Sequence, residues 1–312
     1  MNRTLFEQIS QLRTEQANPR TVAMDEMSTE ELLTLMNDED QKIALAVRQE
    51  IPHIARAVDA ITHAWRSGGR LIYVGAGTSG RLGILDAAEC PPTFGVPPTL
   101  VRGIIAGGQA AVFAAQEGAE DDPTAGAEAL ASEAVTACDV VCSISASGRT
   151  PFVIGALAYA KSCGTTTILV TTNERRQVES FCPSADIIIA PNVGPEIIAG
   201  STRLKSGTAQ KLILNMLSTA AMVRIGKTYR NIMIDVQPLS AKLRERACGI
   251  VMRIAGVDYD TASATLQQAG GNVKVALIML LRKCDRTTAQ TLLDAARGSV
   301  HFAVTLNNRA EQ

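Results

Sequence analysis

Leu71-Ile-Tyr-Val-Gly-Ala-Gly-Thr-Ser-Gly-Arg81 joins four strand-prone residues to a loop of three glycines and two hydroxyls. A helical pattern follows through Leu82, Leu85, Asp86 and Glu89. The order is strand, anion-binding turn, helix N-terminus. Glycine lets the backbone approach a ligand closely, and the unpaired N–H groups of a first helical turn attract negative charge. The spacing Gly75-x-Gly77-x-x-Gly80 also fits a dinucleotide fingerprint, so the stretch alone leaves the identity of the anion open.

Outward from this stretch, short apolar runs alternate with helical segments. Strands are expected at Leu71–Val74, Thr99–Ile105, Val140–Ile144, Thr166–Thr171 and Asp186–Ala190. The runs are continuous rather than alternating, as in parallel strands buried on both faces. Helices are expected over about 79–89, 109–118, 124–136 and 151–162, which makes βαβ units and an α/β, doubly wound five-stranded parallel sheet of order 2-1-3-4-5. The segment 174–183 is short for a full crossover helix.

Helical patterns flank this core. Ser28-Thr-Glu-Glu31 has capping-box spacing, and an amphipathic pattern runs from about Asp40 to Trp65, interrupted by Pro52. Thr14 to Thr21 has no period and is expected to be an extended arm. After Ala190 a long apolar helix is expected from about Thr208 to Ile225, and Ser240 to Val304 divides into several short helices. The expected organisation is an N-terminal arm and helices (1–50), a central sheet domain (51–235) and a C-terminal helical subdomain (236–312).

At the end of the third expected strand stands Ser143-Ile-Ser-Ala-Ser-Gly-Arg-Thr-Pro151. In an open sheet of this order, ligands bind beyond the carboxyl ends of strands one and three. The two hydroxyl-rich loops therefore face one site, and two helix N-termini with Thr78, Ser79, Ser145, Ser147, Gly148 and Thr150 make a phosphate cradle that needs no metal or other cofactor. A dinucleotide site calls for a carboxylate at the end of the second strand, whereas Arg102-Gly-Ile-Ile-Ala-Gly-Gly108 has none. The plainer alternative is that Ser145 to Thr150 is only a capped turn.

Composition narrows the classes further. The 312 residues carry 30 basic and 31 acidic side chains, a formal charge of −1. With no block of like charge, neither nucleic acid nor an anionic membrane is an expected partner. Met1 to Thr14 is charged throughout and no uncharged run approaches membrane-spanning length, so a soluble cytoplasmic protein is expected. Seven cysteines, an odd number lying in or beside apolar segments, read as reduced core thiols.

The two loops resemble those of the sugar isomerase (SIS) domain family, whose Gly-Thr-Ser and Ser-x-Ser-Gly-x-Thr motifs match Gly77-Thr78-Ser79 and Ser145-Ala-Ser147-Gly-Arg-Thr150. The longer stretches Gly75 to Gly95, Glu117-Gly-Ala-Glu-Asp121 and Gly194 to Lys211 are similar to the N-acetylmuramic acid 6-phosphate etherase branch, which is related to the glucokinase regulatory protein. The likeness covers nearly the whole chain. It implies cleavage of a D-lactyl ether by elimination of lactate and addition of water, in cell-wall amino-sugar recycling, with Glu89 and Glu120 as the two functional glutamates.

Such chemistry needs a base at C2 of the opened sugar and an acid at the departing oxygen. Glu89, between Ala87-Ala88 and Cys90-Pro91 at an expected helix C-terminus, suits the acid, because desolvation and the helix dipole both raise its pKa. Glu120, in the acidic run Glu117 to Asp122, suits the base; a solvated helix end is the bland alternative for each. Ten residues of helix from Ser79 to Glu89 span roughly 15 Å, so Glu89 is expected to serve a neighbouring subunit in a homodimer with shared active sites. Glu196, Arg203 and Lys205 are candidate contacts for the N-acetyl or lactyl groups. A sugar-phosphate sensor, an aldose–ketose isomerase and an oxidoreductase remain as alternatives. Within the C-terminal region, Ile254 to Ala262 and Ala269 to Leu280 resemble a three-helix ubiquitin-associated fold, expected to dock or act as a lid.

Overall fold

The structure, a computed structural model, describes residues 10, 12–236 and 240–306. Most of the charged stretch Met1 to Thr14 lies outside them. The chain separates into two compact units. One holds the residues up to Glu89 with Pro98–Ser218; the other holds Cys90–Pro97 with the residues from Thr219 onward.

In the first unit, Ser28 starts α1 (Thr29–Gln49) with the expected capping box, its side chain meeting the N–H of Glu31 while the Glu31 carboxylate returns to the Ser28 N–H. The chain breaks at Glu50, and α2 (Ile51–Arg66) begins with Pro52 in its first turn, where a missing N–H costs nothing. Ile43, Val47, Ile54, Val58 and Ile61 form the buried stripe. Thr14 to Thr21 is not the plain extended arm expected. It contains a 3-10 turn at Arg13–Glu15, and Thr14, Asn18 and Thr21 are buried. Two long-range bonds hold it there: Gly200 N–H to the Thr14 carbonyl (2.9 Å) and Asn18 Nδ2 to Glu39 Oε2 (3.2 Å). Local pattern carries no sign of either.

The sheet contains β1 (Leu71–Gly75), β2 (Val101–Ile105), β3 (Val140–Ile144), β4 (Thr166–Val170) and β5 (Ile187–Ile189), all parallel in the order β2-β1-β3-β4-β5. Every residue of β1 and β3 is buried, which accounts for the continuous apolar runs. Its connections are α3 (Gly77–Phe94), α4 (Ala110–Phe113), α5 (Pro123–Ala131), α6 (Pro151–Ser162) and the short α7 (Arg175–Phe181). On one face Ile72, Val74, Val141, Leu169 and Ile188 pack with Val153, Ala156, Leu157 and Ala160 of α6. The free edge at β5 is partly covered by the Glu50 carboxylate, which accepts from the Ala190 N–H at 2.9 Å and pairs with Arg175.

Three expected helices differ in extent, and the one expected over 124–136 already ends at Ala131. The one expected over 109–118 is only α4, because Ala114 is already extended and Gly118 turns the chain with φ +75°. The one expected to end at Glu89 continues through Pro91 and Pro92 to Phe94. Proline accepts a helical φ while losing two intrahelical bonds. Buried Cys90 and Phe94, one turn apart, anchor the continuation.

The long helix α8 runs Lys205–Arg224. In the second unit a two-stranded ribbon, β6 (Thr228–Tyr229) with β7 (Ile232–Met233), precedes α9 (Ala241–Ala255), α10 (Tyr259–Gln268), α11 (Val273–Arg282), α12 (Arg286–Ala295) and α13 (Val300–Thr305). Ser240, Asp258, Asn272, Asp285 and Ser299 each cap one of these helices through a side-chain oxygen. Their core includes Val251, Ala276, Leu277, Ile278 and Val300. Among the described residues no helix is long and apolar enough to cross a membrane.

Candidate active site

Gly75 is paired with Ile105 on one side and Ile144 on the other, so the loops after β1 and β3 leave the sheet side by side, at the strand reversal. The first loop is tight. A Cβ on Gly75 would lie 2.7 Å from the Gly80 nitrogen, and one on Gly80 would lie 2.8 Å from the Gly75 carbonyl oxygen. Only glycine at both positions lets α3 start directly over the strand end. Ser79 is buried there, and its hydroxyl donates to Gln210 Oε1 on α8 at 2.9 Å. Thr78 faces the same helix: a Cβ on Gly207 would stand 3.4 Å from Thr78 Cγ2.

The second loop gathers its hydroxyls. Ser145 Oγ lies 2.8 Å from Thr150 Oγ1 and 3.3 Å from Ser147 Oγ, and it accepts the Gly148 N–H at 3.0 Å. Thr150 occupies the N-cap position of α6, yet its side chain caps no N–H. Its hydroxyl turns to Ser145 instead, so the loop is more than a capped turn. Behind it, the Ala146 carbonyl accepts from Thr171 Oγ1 at 2.9 Å, and Asn173 Nδ2 donates to the Ser147 carbonyl at 2.8 Å. Thr172 Oγ1 meets Ser206 Oγ at 2.9 Å, linking this loop's support to the start of α8.

Glu120 belongs to a run of turns rather than to a helix end. Its carbonyl accepts the Phe152 N–H at 3.0 Å, which fixes its backbone at the first turn of α6, directly after the hydroxyl loop. The side chain reaches solvent, but partial burial, then Asp121 and Glu117, raise its pKa. Glu89 is exposed on α3 in the single chain. The desolvation expected for it is not supplied by its own helix, which runs on past it to Phe94.

The three candidate contacts before α8 fare differently. Glu196 is 1% exposed and caps the helix, its two oxygens accepting the N–H groups of Lys205 (2.8 Å) and Ser206 (2.9 Å). Lys205 is equally buried; its Nζ donates to Glu39 Oε2 at 2.7 Å and to the Pro195 carbonyl at 2.9 Å. Arg203 is exposed in the turn just before the helix. The first two build the N-terminus of α8, and Arg203 is the free cation of the three.

Sequence reasoning missed Gln210, Glu39 and Asp86. Gln210 follows Gly207 by three residues, on the same helix face, and that spacing was the available signal. Asp86 joins β1 and α8, accepting from Tyr73 Oη (2.9 Å) and Ser218 Oγ (3.0 Å), and burial raises its pKa. Among the described residues no group of three or more His, Cys, Asp or Glu side chains is placed to hold a metal ion.

A five-stranded 2-1-3-4-5 sheet with hydroxyl-lined loops at the ends of its first and third strands defines the SIS class of α/β domain. A model of the glucokinase regulatory protein N-terminal SIS domain matches residues 53–161. The chain belongs to the N-acetylmuramic acid 6-phosphate etherase family: a member from Salinibacter ruber is 53% identical over 302 residues, covering 96% of each chain. A second, from Enterobacter sp., is 50% identical over 296 residues, 95% of this chain and 99% of that one. Among solved structures, a phosphoheptose isomerase from Francisella tularensis aligns with 63% of this chain and 100% of its own, at 17% identity and a TM-score of 0.48.

Proposed function

We propose that this protein is a carbon–oxygen lyase that cleaves the D-lactyl ether of N-acetylmuramic acid 6-phosphate, giving N-acetylglucosamine 6-phosphate and D-lactate in amino-sugar recycling. The observation that carries the reading is 50–53% identity to etherases over nearly the full length. The position of Glu120 beside the hydroxyl loop supports it.

In this reading, Thr78, Ser79, Ser145, Ser147, the Gly148 backbone and Thr150 hold the phosphate at the starts of α3 and α6. With the sugar open, its aldehyde acidifies the C2–H. A glutamate takes that proton, the C2–C3 double bond forms, and the C3–O bond breaks as the second carboxyl protonates the departing lactate oxygen. Water then adds its oxygen to C3 and a proton returns to C2. Net, one water is consumed and no electron leaves the sugar. Glu120 is assigned the base: its raised pKa brings it nearer the range in which a carboxylate both accepts and returns a proton at neutral pH. Glu89 is assigned the acid of the partner subunit's site in a homodimer, where a second surface would desolvate it. Arg203 is assigned to the lactyl carboxylate. A reducing, cytoplasmic setting suits seven cysteines that form no disulfide among the described residues.

Incubation with N-acetylmuramic acid 6-phosphate tests the reading. Release of D-lactate, with ¹⁸O from labelled water appearing at C3 of the sugar, is the expected result. Label elsewhere rejects elimination and hydration. Binding without lactate release points instead to a sugar-phosphate sensor, which needs the hydroxyl loops but neither glutamate.

A further inference from the structure

Gln210 is 1% exposed and Ser79 is 8% exposed. With the Gln210 amide in this orientation, the Ser79 hydroxyl gives its only proton to Gln210 Oε1 and has none to offer a ligand. Meanwhile Gln210 Nε2 is buried and has no hydrogen-bond partner. A buried amide donor without an acceptor is rare, and rarer than an under-satisfied carbonyl oxygen. The orphan therefore lies beside the residue at the heart of the first loop, one bond away from an anion site.

We propose that Gln210 sets the direction of the Ser79 hydroxyl proton and so switches the first loop between an empty and a phosphate-holding state. This rests on the phosphosugar reading above. A phosphate dianion only accepts hydrogen bonds, so Ser79 binds it only by turning its O–H away from Gln210. A half-turn of the Gln210 amide then exchanges its two ends: Nε2–H donates to the lone pair that Ser79 Oγ now turns toward it, and Oε1 takes the place where Nε2 was orphaned. The amide donor is satisfied, and a donor on Oγ strengthens the O–H bond to phosphate. The protons balance, since each group keeps its own. Gln210 touches no substrate; it is a positioning residue acting through Ser79.

The test is a double-mutant cycle on affinity for N-acetylglucosamine 6-phosphate, measured by titration calorimetry. Gln210→Met keeps the volume and removes the orphan donor but also the acceptor of the Ser79 hydroxyl, so its melting temperature is expected to change little while affinity falls about tenfold, the scale of a weakened charge-assisted hydrogen bond. In a Ser79→Ala background the same change is expected to do nothing further. If Gln210→Met binds as tightly as the parent, or weakens binding equally with and without Ser79, the proposal is overturned. Gln210→Glu is the second variant: its carboxylate only accepts, so it locks the Ser79 proton away, and affinity should fall further than in Gln210→Met and recover as the pH is lowered. No recovery at low pH overturns the switch. Failure of the parent protein to bind the sugar phosphate overturns the phosphosugar reading and the switch with it, which separates the two failures.

Discussion

Glu39 and Lys205, 166 residues apart, meet at 2.7 Å with side chains 4% and 1% exposed. Burial pushes the Glu39 carboxyl up, but hydrogen bonds from Lys205, Lys42 and Arg20 outweigh it and hold the pKa at about 2. Because the folded value lies below the unfolded one, this contribution is complete above about pH 4.5 and disappears as the pH falls toward 2. Glu39→Gln leaves the Lys205 ammonium buried without its counter-charge. A loss of about 3–5 kcal/mol is expected, with a shallower acid limb in the plot of stability against pH. Urea titrations of both proteins across pH 2–7 measure it; an unchanged acid limb excludes the role given to Glu39. A lysine in a polar loop reads in sequence as a ligand contact, and its partner in an early helix gives no local sign of the pairing. Lys205 was therefore legible as a charge and not as a buried one.

At the scale of elements, the position of Glu120 depends on how α5 crosses α6. A Cβ on Gly126 would lie 1.9 Å from the Phe152 carbonyl oxygen, and one on Gly155 would lie 1.9 Å from that of Pro123. The two backbones touch, so Asp122, which caps α5 through the N–H groups of Thr124 and Ala125, stays close to the start of α6. Glu120 is two residues further back, bonded to Phe152. Gly155→Ala must separate the helices and is expected to cost about 1–3 kcal/mol, as overpacking does. Under the proposed function, lactate release should also fall about tenfold or more, since small displacements of a reacting group are costly, while sugar-phosphate affinity is retained. A melting curve and a rate on the same preparation decide; full activity at reduced stability would show that the crossing does not place Glu120. The helices themselves were legible from their patterns, whereas the crossing was not, because a glycine in a helix gives no sign of what lies against it.

At the scale of the whole molecule, Glu89 is exposed on α3 while its proposed task needs a desolvated carboxyl. Helix α3 is continuous from Gly77 to Phe94, so Glu89 stays roughly 15 Å along the axis from Ser79. Sharing of sites between subunits remains the proposed resolution. Mixing inactive Glu89→Gln and Ser147→Ala proteins should restore lactate release in the hybrid dimers; absence of recovery, with dimers verified by sedimentation, removes the shared-site assignment. The parallel sheet, its order and both hydroxyl loops were legible in the chain, because burial on both faces leaves continuous apolar runs and a phosphate loop is contiguous in sequence. The tertiary structure alone decided which of those polar residues are already committed: Glu196 to a helix cap, Lys205 to Glu39, and Ser79 to Gln210. Two of those pairings, Lys205 with Glu39 and Ser79 with Gln210, close separations of 166 and 131 residues at 2.7 and 2.9 Å, and long-range contact is what a local reading of spacing does not encode.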